Sequence, residues 1–255
     1  MTDYNPTEHA LISYADETGH SKDPLKQFVG IAGLLAPSTA WMAFDREWRH
    51  TCAEEAITLP FHMTEFASRR GQFSDVKWRE ESNRRRVLGK LVQAIARTAA
   101  IPIGAVVPIA DFNALSELQR TMLGGDPYYV AFQQCTVQMA FANAPDEVSM
   151  IYARQREFTG MAQGLWEAIK DGNLFGLWMG SFAAGEPRDH TPLQAADLWA
   201  YELGRHFGYV LPNGLQWRWA FQRLVDQALQ WSHGHRFFTL CDRPFMLEAL
   251  GEVEN

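Results

Sequence analysis

Apolar residues along this chain follow two spacings, one typical of buried strands and the other of amphipathic helices. Residues 11–16 and 27–36 are short apolar runs, and the turn-rich link between them predicts a β-hairpin. Apolar side chains then recur at spacings of three and four over residues 39–57 and 76–99, which predicts two helices. The first part of the chain is therefore expected to form a hairpin followed by helices.

The later part of the chain alternates between strand and helix patterns. Strands are predicted over residues 101–112, 147–155 and 173–183. Helices are predicted over residues 127–143, 158–170 and 217–231. Another helix, of about 18 residues, is predicted to begin at Thr191. Two prolines in the first of these strands place it at a sheet edge or give it irregular ends.

This order of elements predicts an α/β fold. Its mixed sheet is expected to be antiparallel in the first hairpin and parallel in the later strands, with flanking helices and extra helices at the C-terminus. We expect one domain over residues 1–255, with a core over about 11–210 and a helical extension over 211–255.

Composition narrows the class of protein only a little. The 255 residues are 47% apolar and 21% charged, as in ordinary globular proteins. No apolar run approaches the roughly 20 residues of a membrane span, and the first residues lack the pattern of a signal peptide. The three cysteines are odd in number and widely spaced, which argues against a disulfide framework or a structural zinc site. We therefore expect a cytoplasmic protein.

Charge is distributed unevenly along the chain. The net charge of -7 gives no global basic footprint for nucleic acid. Residues 69–97 differ, because they contain nine basic residues and three acidic ones. This stretch is either the solvated face of a helix, which is the more usual meaning of a charge run, or a surface that faces a phosphate backbone.

Two adjacent acids, Asp16 and Glu17, follow the first apolar run in the segment YADETG. On a loop they would be solvated charges or would cap the turn, whereas at the buried end of a strand they would need a cation or a strong donor. Asp197 lies beside a stripe of small and apolar residues on a later helix. Carboxylates that converge from a strand end and a helix suit Mg²⁺ or Mn²⁺, so Asp197 is a candidate partner for Asp16.

Three motifs together resemble the bacterial family called domain of unknown function 3800. They are YADETG, FHMTEF and LQAADLWAYE, in this order, and the resemblance covers about residues 11–210. That family is similar to the RNase H-like superfamily, whose nucleases hold divalent ions on acids from the first strand, a later strand and the last helix. The resemblance therefore implies an RNase H-like fold and a metal-dependent nuclease. It implies Asp16 and Asp197 as catalytic metal ligands, with Glu17 as an additional ligand.

The chain departs from the family pattern at two positions. Thr18 stands where the family often has Ser, and it keeps the hydroxyl. Ala153 stands where many relatives carry Asp at a strand end, so the resemblance implies a missing metal ligand. Either Glu17, Glu65 or Glu157 compensates, or the site binds one ion, or it is no longer catalytic.

Further residues are candidates for substrate binding. They are His62, Glu65, Gln194 and Arg154, with Arg69 and Arg70 as other phosphate contacts. His62 and Glu65 would share a face if their segment were helical, although a lone His is more often packed or exposed. Gln194 would orient a ligand or hydrogen-bond the sheet. The pair His233 and His235 is interpreted as a helix ending, and the nine tryptophans are either core residues or base-stacking platforms.

Two functions follow from these observations. The first is a metal-dependent phosphodiesterase that acts on nucleic acid or a nucleotide with water as the nucleophile. The second is a catalytically degenerate RNase H-like module that binds nucleic acid or a protein partner. The intact strand and helix motifs favour the first, and Ala153 favours the second. No GxSxG elbow, Walker loop, HExxH or GxGxxG after a strand occurs, which disfavours the enzyme classes that use them.

Overall fold

A computed structural model of the chain contains a six-stranded mixed sheet with helices on both faces. It describes residues 10–19, 27–154, 158–172, 174–231 and 237–252. The strands are β1 (Leu11–Gly19), β2 (Phe28–Pro37), β3 (Ile101–Pro108), β4 (Val148–Ala153), β5 (Met179–Gly185) and β6 (Phe237–Leu240). The helices are α1 (Ser38–Glu54), α2 (Met63–Ser68), α3 (Glu81–Arg97), α4 (Ile109–Asn113), α5 (Glu117–Met122), α6 (Pro127–Asn143), α7 (Thr159–Gly172), α8 (Thr191–Arg205), α9 (Trp219–Trp231) and α10 (Arg243–Ala249).

The sheet confirms the predicted strand directions. From edge to edge the strand order is β5-β4-β1-β2-β3-β6. β2 pairs antiparallel with both β1 and β3, whereas the β1–β4, β4–β5 and β3–β6 pairs are parallel. The first hairpin is therefore antiparallel and the later strands are parallel, as the order of elements predicted.

Several predicted bounds are wrong. The helix predicted over 76–99 begins only at Glu81, after a 3₁₀ helix over Val76–Trp78, and the helix predicted over 39–57 ends at Glu54. β1 continues to Gly19 because β2 pairs with it along its whole length, so Asp16 and Glu17 lie within the strand. The strand predicted over 101–112 ends at Pro108, and α4 follows directly. The strand predicted from residue 173 begins only at Met179, after a 3₁₀ helix over Leu174–Trp178.

The C-terminal region is more than the helical extension that the sequence predicted, because β6 joins the sheet. β6 pairs only with Ile103–Val106 of β3, the segment that lies between Pro102 and Pro108. The two prolines therefore flank the paired segment, and β3 lies inside the sheet rather than at its edge. A strand of four residues is too short to give a clear alternation in the sequence.

Each face of the sheet has its own hydrophobic core. The core under α1, α3, α8 and α9 includes Trp48, Trp199 and Phe221, all fully buried. The core under α6 and α7 includes Phe132 and Trp166. Trp41 and Trp48, which the sequence left open as core or as stacking platforms, are buried core residues.

Helix α8 crosses the sheet instead of following one strand. Its first turn contacts the end of β5, where Leu193 lies against Gly185, and its last turn reaches β3, where Leu203 lies against Gly104. Between these points it packs on β1 and β2. Close approach requires glycine at Gly204, since an added Cβ there would lie 2.5 Å from the hydroxyl oxygen of Thr18. The last turn of α8 therefore lies close to Thr18, near the end of β1.

The described residues also bear on membrane spanning and on the state of the cysteines. None of the helices among them is long and apolar enough to span a bilayer. Cys52, Cys135 and Cys241 are free thiols in the core, and burial raises the pKa of Cys52 and of Cys135 to about 12.

Candidate active site

The segment before α2 is attached to α8 by two side chains of the helix motif. The amide oxygen of Gln194 accepts hydrogen bonds from the indole N–H of Trp48 (2.9 Å) and from the backbone N–H of Phe61 (3.0 Å). Three residues further along α8, the Oδ2 atom of Asp197 accepts the backbone N–H of Met63 at 2.8 Å. The two side chains therefore fix the backbone of residues 61–63 against α8.

Gln194 is not accessible to a ligand. Its side chain is fully buried, and its NH₂ group donates to the carbonyl oxygen of Pro187 at 2.7 Å. The residue thus joins α1, the segment before α2 and the turn before α8. Its position is that of a positioning residue for Asp197 rather than of a group that contacts substrate.

His62 and Glu65 lie beside Asp197, as their spacing predicted for a helical segment. His62 is the N-cap of α2, and its Nδ1 atom lies 3.9 Å from Oδ2 of Asp197, which is too long for a hydrogen bond. Glu65 is in the first turn of α2, and its carboxylate lies against Gly71. Since the side chain of Asp197 is only 20% exposed, the three groups form a half-buried polar cluster at the junction of α2 and α8.

Burial is the main influence on the charge of Asp197. It raises the pKa of the carboxyl group, and the nearby Glu65 charge raises it further, whereas the Met63 N–H and His62 act in the opposite direction. A buried acid that holds its charge with difficulty gains from a cation placed next to it. The cluster is therefore a place where a positive ligand would be favoured.

Asp16 lies on the same face of the sheet as α8. Alternation along β1 puts Tyr14 in the core under α8 and Ala15 in the core under α6, so Asp16 faces the α8 side. Its Oδ1 atom accepts the backbone N–H of Glu17 at 2.8 Å. The β4 partner residues end opposite Ala15, so Asp16 lies just beyond the point where the two parallel strands separate. Ligands of α/β sheets commonly bind at such strand ends.

Glu17 lies on the opposite face, toward α6. Burial raises the pKa values of Tyr128 and Tyr152, and the Glu17 charge raises both further, so it is close to this tyrosine pair. The hydroxyl groups of the two tyrosines are hydrogen-bonded to each other at 3.1 Å. The structure therefore brings Glu65, and not Glu17, next to Asp197.

The end of β4 lacks a carboxylate. Ala153 is the last residue of β4, is 4% exposed and belongs to the core under α8, on the same face as Asp16. The next residue, Arg154, is exposed, and its Nε atom lies 3.4 Å from the carboxylate of Glu186. An apolar methyl group thus occupies the position where the family resemblance implies a third acid.

The remaining candidates contribute less to the cluster. Arg69 and Arg70 are exposed after α2, and Arg69 ends that helix in a left-handed conformation with φ of 56°. Glu157, His233 and His235 lie outside the described residues.

The carboxylates near Asp197 suit a metal ion that takes only one or two ligands from the protein. Among the residues that the structure describes, no group of three or more His, Cys, Asp and Glu side chains is arranged to hold a metal ion. Mg²⁺ commonly needs fewer, because one or two carboxylates together with waters and substrate phosphates complete its shell. The buried carboxylate of Asp197, whose charge is destabilised without a neighbouring cation, fits such an ion.

Comparison with known proteins gives no further information on the family or the function of this chain. No protein-family model matches this chain, and no curated protein is similar to it. The resemblance to domain of unknown function 3800 therefore rests on the three motifs of the sequence itself.

Sequence reasoning missed the backbone groups that organise this site. The N–H groups of Phe61 and Met63 hold the side chains of Gln194 and Asp197 in place, and a backbone donor leaves no mark in a pattern of side chains. The only available signal was the spacing of Gln194 and Asp197, three residues apart on one helix face.

Proposed function

We propose that this protein is a divalent-metal-dependent phosphodiesterase of the RNase H-like, nuclease type, which acts in the cytoplasm on nucleic acid or a nucleotide. The supporting observation is that Asp16 and Asp197, the acids of the two strongest motifs, lie on one face of the sheet where α8 crosses β1. A bound Mg²⁺ or Mn²⁺ ion would polarise a phosphoryl oxygen and lower the pKa of an attacking water.

The protein's own groups have separate parts in this proposal. Asp197 is held in one orientation by the Met63 N–H, so it offers its charge without reorganisation. His62, 44% exposed and beside that carboxylate, is accessible to exchange a proton with solvent or with a leaving group. Arg69, Arg70 and Arg154 are exposed cations near the ends of α2 and β4, where they would contact substrate phosphates.

A second candidate function is favoured by Ala153. Without an acid at the end of β4, the scaffold would be a degenerate module that binds nucleic acid or a protein partner and has lost hydrolysis. The two proposals differ in whether Asp16 and Asp197 bind a divalent cation.

Calorimetric titration with Mn²⁺ tests the first proposal directly. We expect the full-length protein to bind Mn²⁺, and Asp16→Asn and Asp197→Asn each to weaken this binding by at least tenfold while circular dichroism shows an unchanged fold. Asp226→Asn is the matched control, since it removes one exposed carboxylate from α9. No binding by the wild type, or equal weakening by the control, would overturn the phosphodiesterase and favour the degenerate module.

A further inference from the structure

A cavity of about 300 Å³ lies next to the candidate active site, between α2, α3, α8 and the start of α9. Two of its lining residues connect it to that site. Met63 donates its backbone N–H to Asp197, and Tyr201 lies one helical turn beyond Asp197 on α8. A ligand in this cavity would therefore reach toward the acids at the junction of α2 and α8.

The cavity wall carries arginines with different partners. Arg218 is neutralised, because its guanidinium binds the fully buried carboxylate of Glu202 through two hydrogen bonds of 2.8 and 2.9 Å. Arg84 and Arg85 take part in none of the ion pairs among the described residues. The Nε atom of Arg84 is buried and lacks a hydrogen-bond partner in that same part of the chain. A buried cationic donor without a partner is costly and indicates a missing acceptor.

Aromatic rings lie at the mouth of the cavity beside these arginines. The guanidinium carbon of Arg85 lies 5.9 Å from the ring centroid of Trp219, which is 36% exposed. The indole lies beside Gly89 of α3, 3.9 Å from the place of an added Cβ, which is ordinary van der Waals contact. Phe66 and Tyr201 also line the cavity. Rings and guanidinium planes of this kind are the surfaces on which unpaired bases stack.

We propose that the cavity binds one nucleotide of a single-stranded nucleic acid, with its phosphate against Arg84 and Arg85 and its base against Trp219. The proposal extends the proposed function, from which it takes the class of substrate. A base-paired strand is disfavoured, since its bases are already stacked and cannot enter a cavity of this size. Glu81 on the same wall disfavours a compact inorganic anion and leaves a hydrogen-bond acceptor for an N–H group of a base, such as N3–H of thymine.

Fluorescence anisotropy with a labelled oligothymidylate of about 12 nucleotides tests this proposal in EDTA, where hydrolysis and metal binding play no part. We expect Arg84→Gln and Arg85→Gln each to weaken binding about fivefold or more and to reduce the salt slope by about 0.7. Trp219→Leu is expected to weaken binding about tenfold with an unchanged slope, and Trp219→Phe to restore most of it. Arg97→Gln, on the same helix but paired with Glu47, is the matched control and is expected to change affinity less than twofold.

Several results would overturn the proposal. They are absence of oligonucleotide binding by the wild type, equal binding of a duplex of the same length, equal weakening by Arg97→Gln, and competition by polyglutamate as strong as that by unlabelled oligonucleotide. The last of these would indicate an acidic protein partner instead. If the oligonucleotide binds as expected but Mn²⁺ does not, the cavity proposal stands and the phosphodiesterase proposal fails.

Discussion

The two sides of α3 carry similar basic residues in different environments. On the side toward α1, Arg86 and Lys90 both contact Glu55, at 2.5 and 2.6 Å. On the side toward α2 and α9, Arg84 and Arg85 line the cavity. All four lie within two turns of one helix, so the difference is made by what packs against each side. The comparison shows that acids from another element decide which basic residues are available to bind an anion.

The energetics of the α1 side follow from the burial of Glu55. Its side chain is 8% exposed. Hydrogen bonding to Arg86, assisted by Lys90, lowers its pKa to about 2 in spite of that burial. The two cations are already committed to stabilising this carboxylate, so they have little left to offer to a phosphate.

The largest expected effect comes from breaking the ion pair of Arg218 and Glu202 on the cavity side. Glu202→Gln leaves the guanidinium of Arg218 without its buried partner, and we expect it to lower the free energy of unfolding by about 2–3 kcal/mol in urea titrations. This is less than for a fully buried pair, because the Arg218 side chain is 35% exposed and solvent screens its charge. The double variant Glu202→Gln with Arg218→Met is expected to recover part of this loss, because it removes the uncompensated charge. A loss below about 1 kcal/mol would show that Arg218 is as available as Arg84, and the distinction between the arginines of the cavity would fail.

The sequence predicted the sheet well because the strands that define it carry long apolar runs. Residues 27–36 are apolar enough to be buried on both faces, and β2 lies between two partners as that pattern indicates. β6 was missed because its four residues form a strand only where β3 offers an unpaired edge between two prolines. That edge is a tertiary feature, and no local pattern in residues 237–240 encodes it.

The second largest expected effect is the loss of the Glu55 carboxylate on the α1 side of α3, which changes how stability depends on pH. The pKa of Glu55 is lowered in the folded protein, so the group stabilises the fold fully above its ordinary pKa of 4.5 and loses this contribution as pH falls toward about 2. Glu55→Gln is expected to lower the free energy of unfolding at neutral pH by about 1–2 kcal/mol. The variant should also show a shallower decline than the wild type between these two pH values.

Glu54→Gln is the matched control for that measurement. Glu54 neighbours Glu55 but is 49% exposed and lies 3.3 Å from Lys90, so its loss is expected to change stability by less than about 0.5 kcal/mol. Equal losses of stability from the two substitutions would contradict the conclusion that Glu55 is the carboxylate that Arg86 and Lys90 stabilise.

The candidate site was less predictable than the fold. The motifs YADETG and LQAADLWAYE direct attention to the face of the sheet on which Asp16 and α8 lie, since period-2 and period-3.6 positions follow from the sequence. The proximity of His62, Glu65 and Asp197 depends on the segment before α2, which is held by buried hydrogen bonds to Gln194 and by a cluster of aromatic side chains. The nine basic residues of 69–97 could not be sorted into paired and available groups, because their acidic partners come from α1 and its C-terminal flank, about 30 residues or more away.

The smallest expected effect tests whether charge alone separates the two sides of α3. Glu47→Gln frees Arg97 from its only ion pair among the described residues, in which Glu47 is 32% exposed and Arg97 is 64% exposed. We expect the free energy of unfolding to change by less than about 0.5 kcal/mol and oligonucleotide affinity to change less than twofold. The released cation would lie in the depression between α1 and α3, where solvent and salt screen it and whose lining residues include no Trp, Tyr or Phe ring. If anisotropy instead showed a gain as large as the loss caused by Arg84→Gln, the number of unpaired cations would decide binding, and the cavity would have no special part in it.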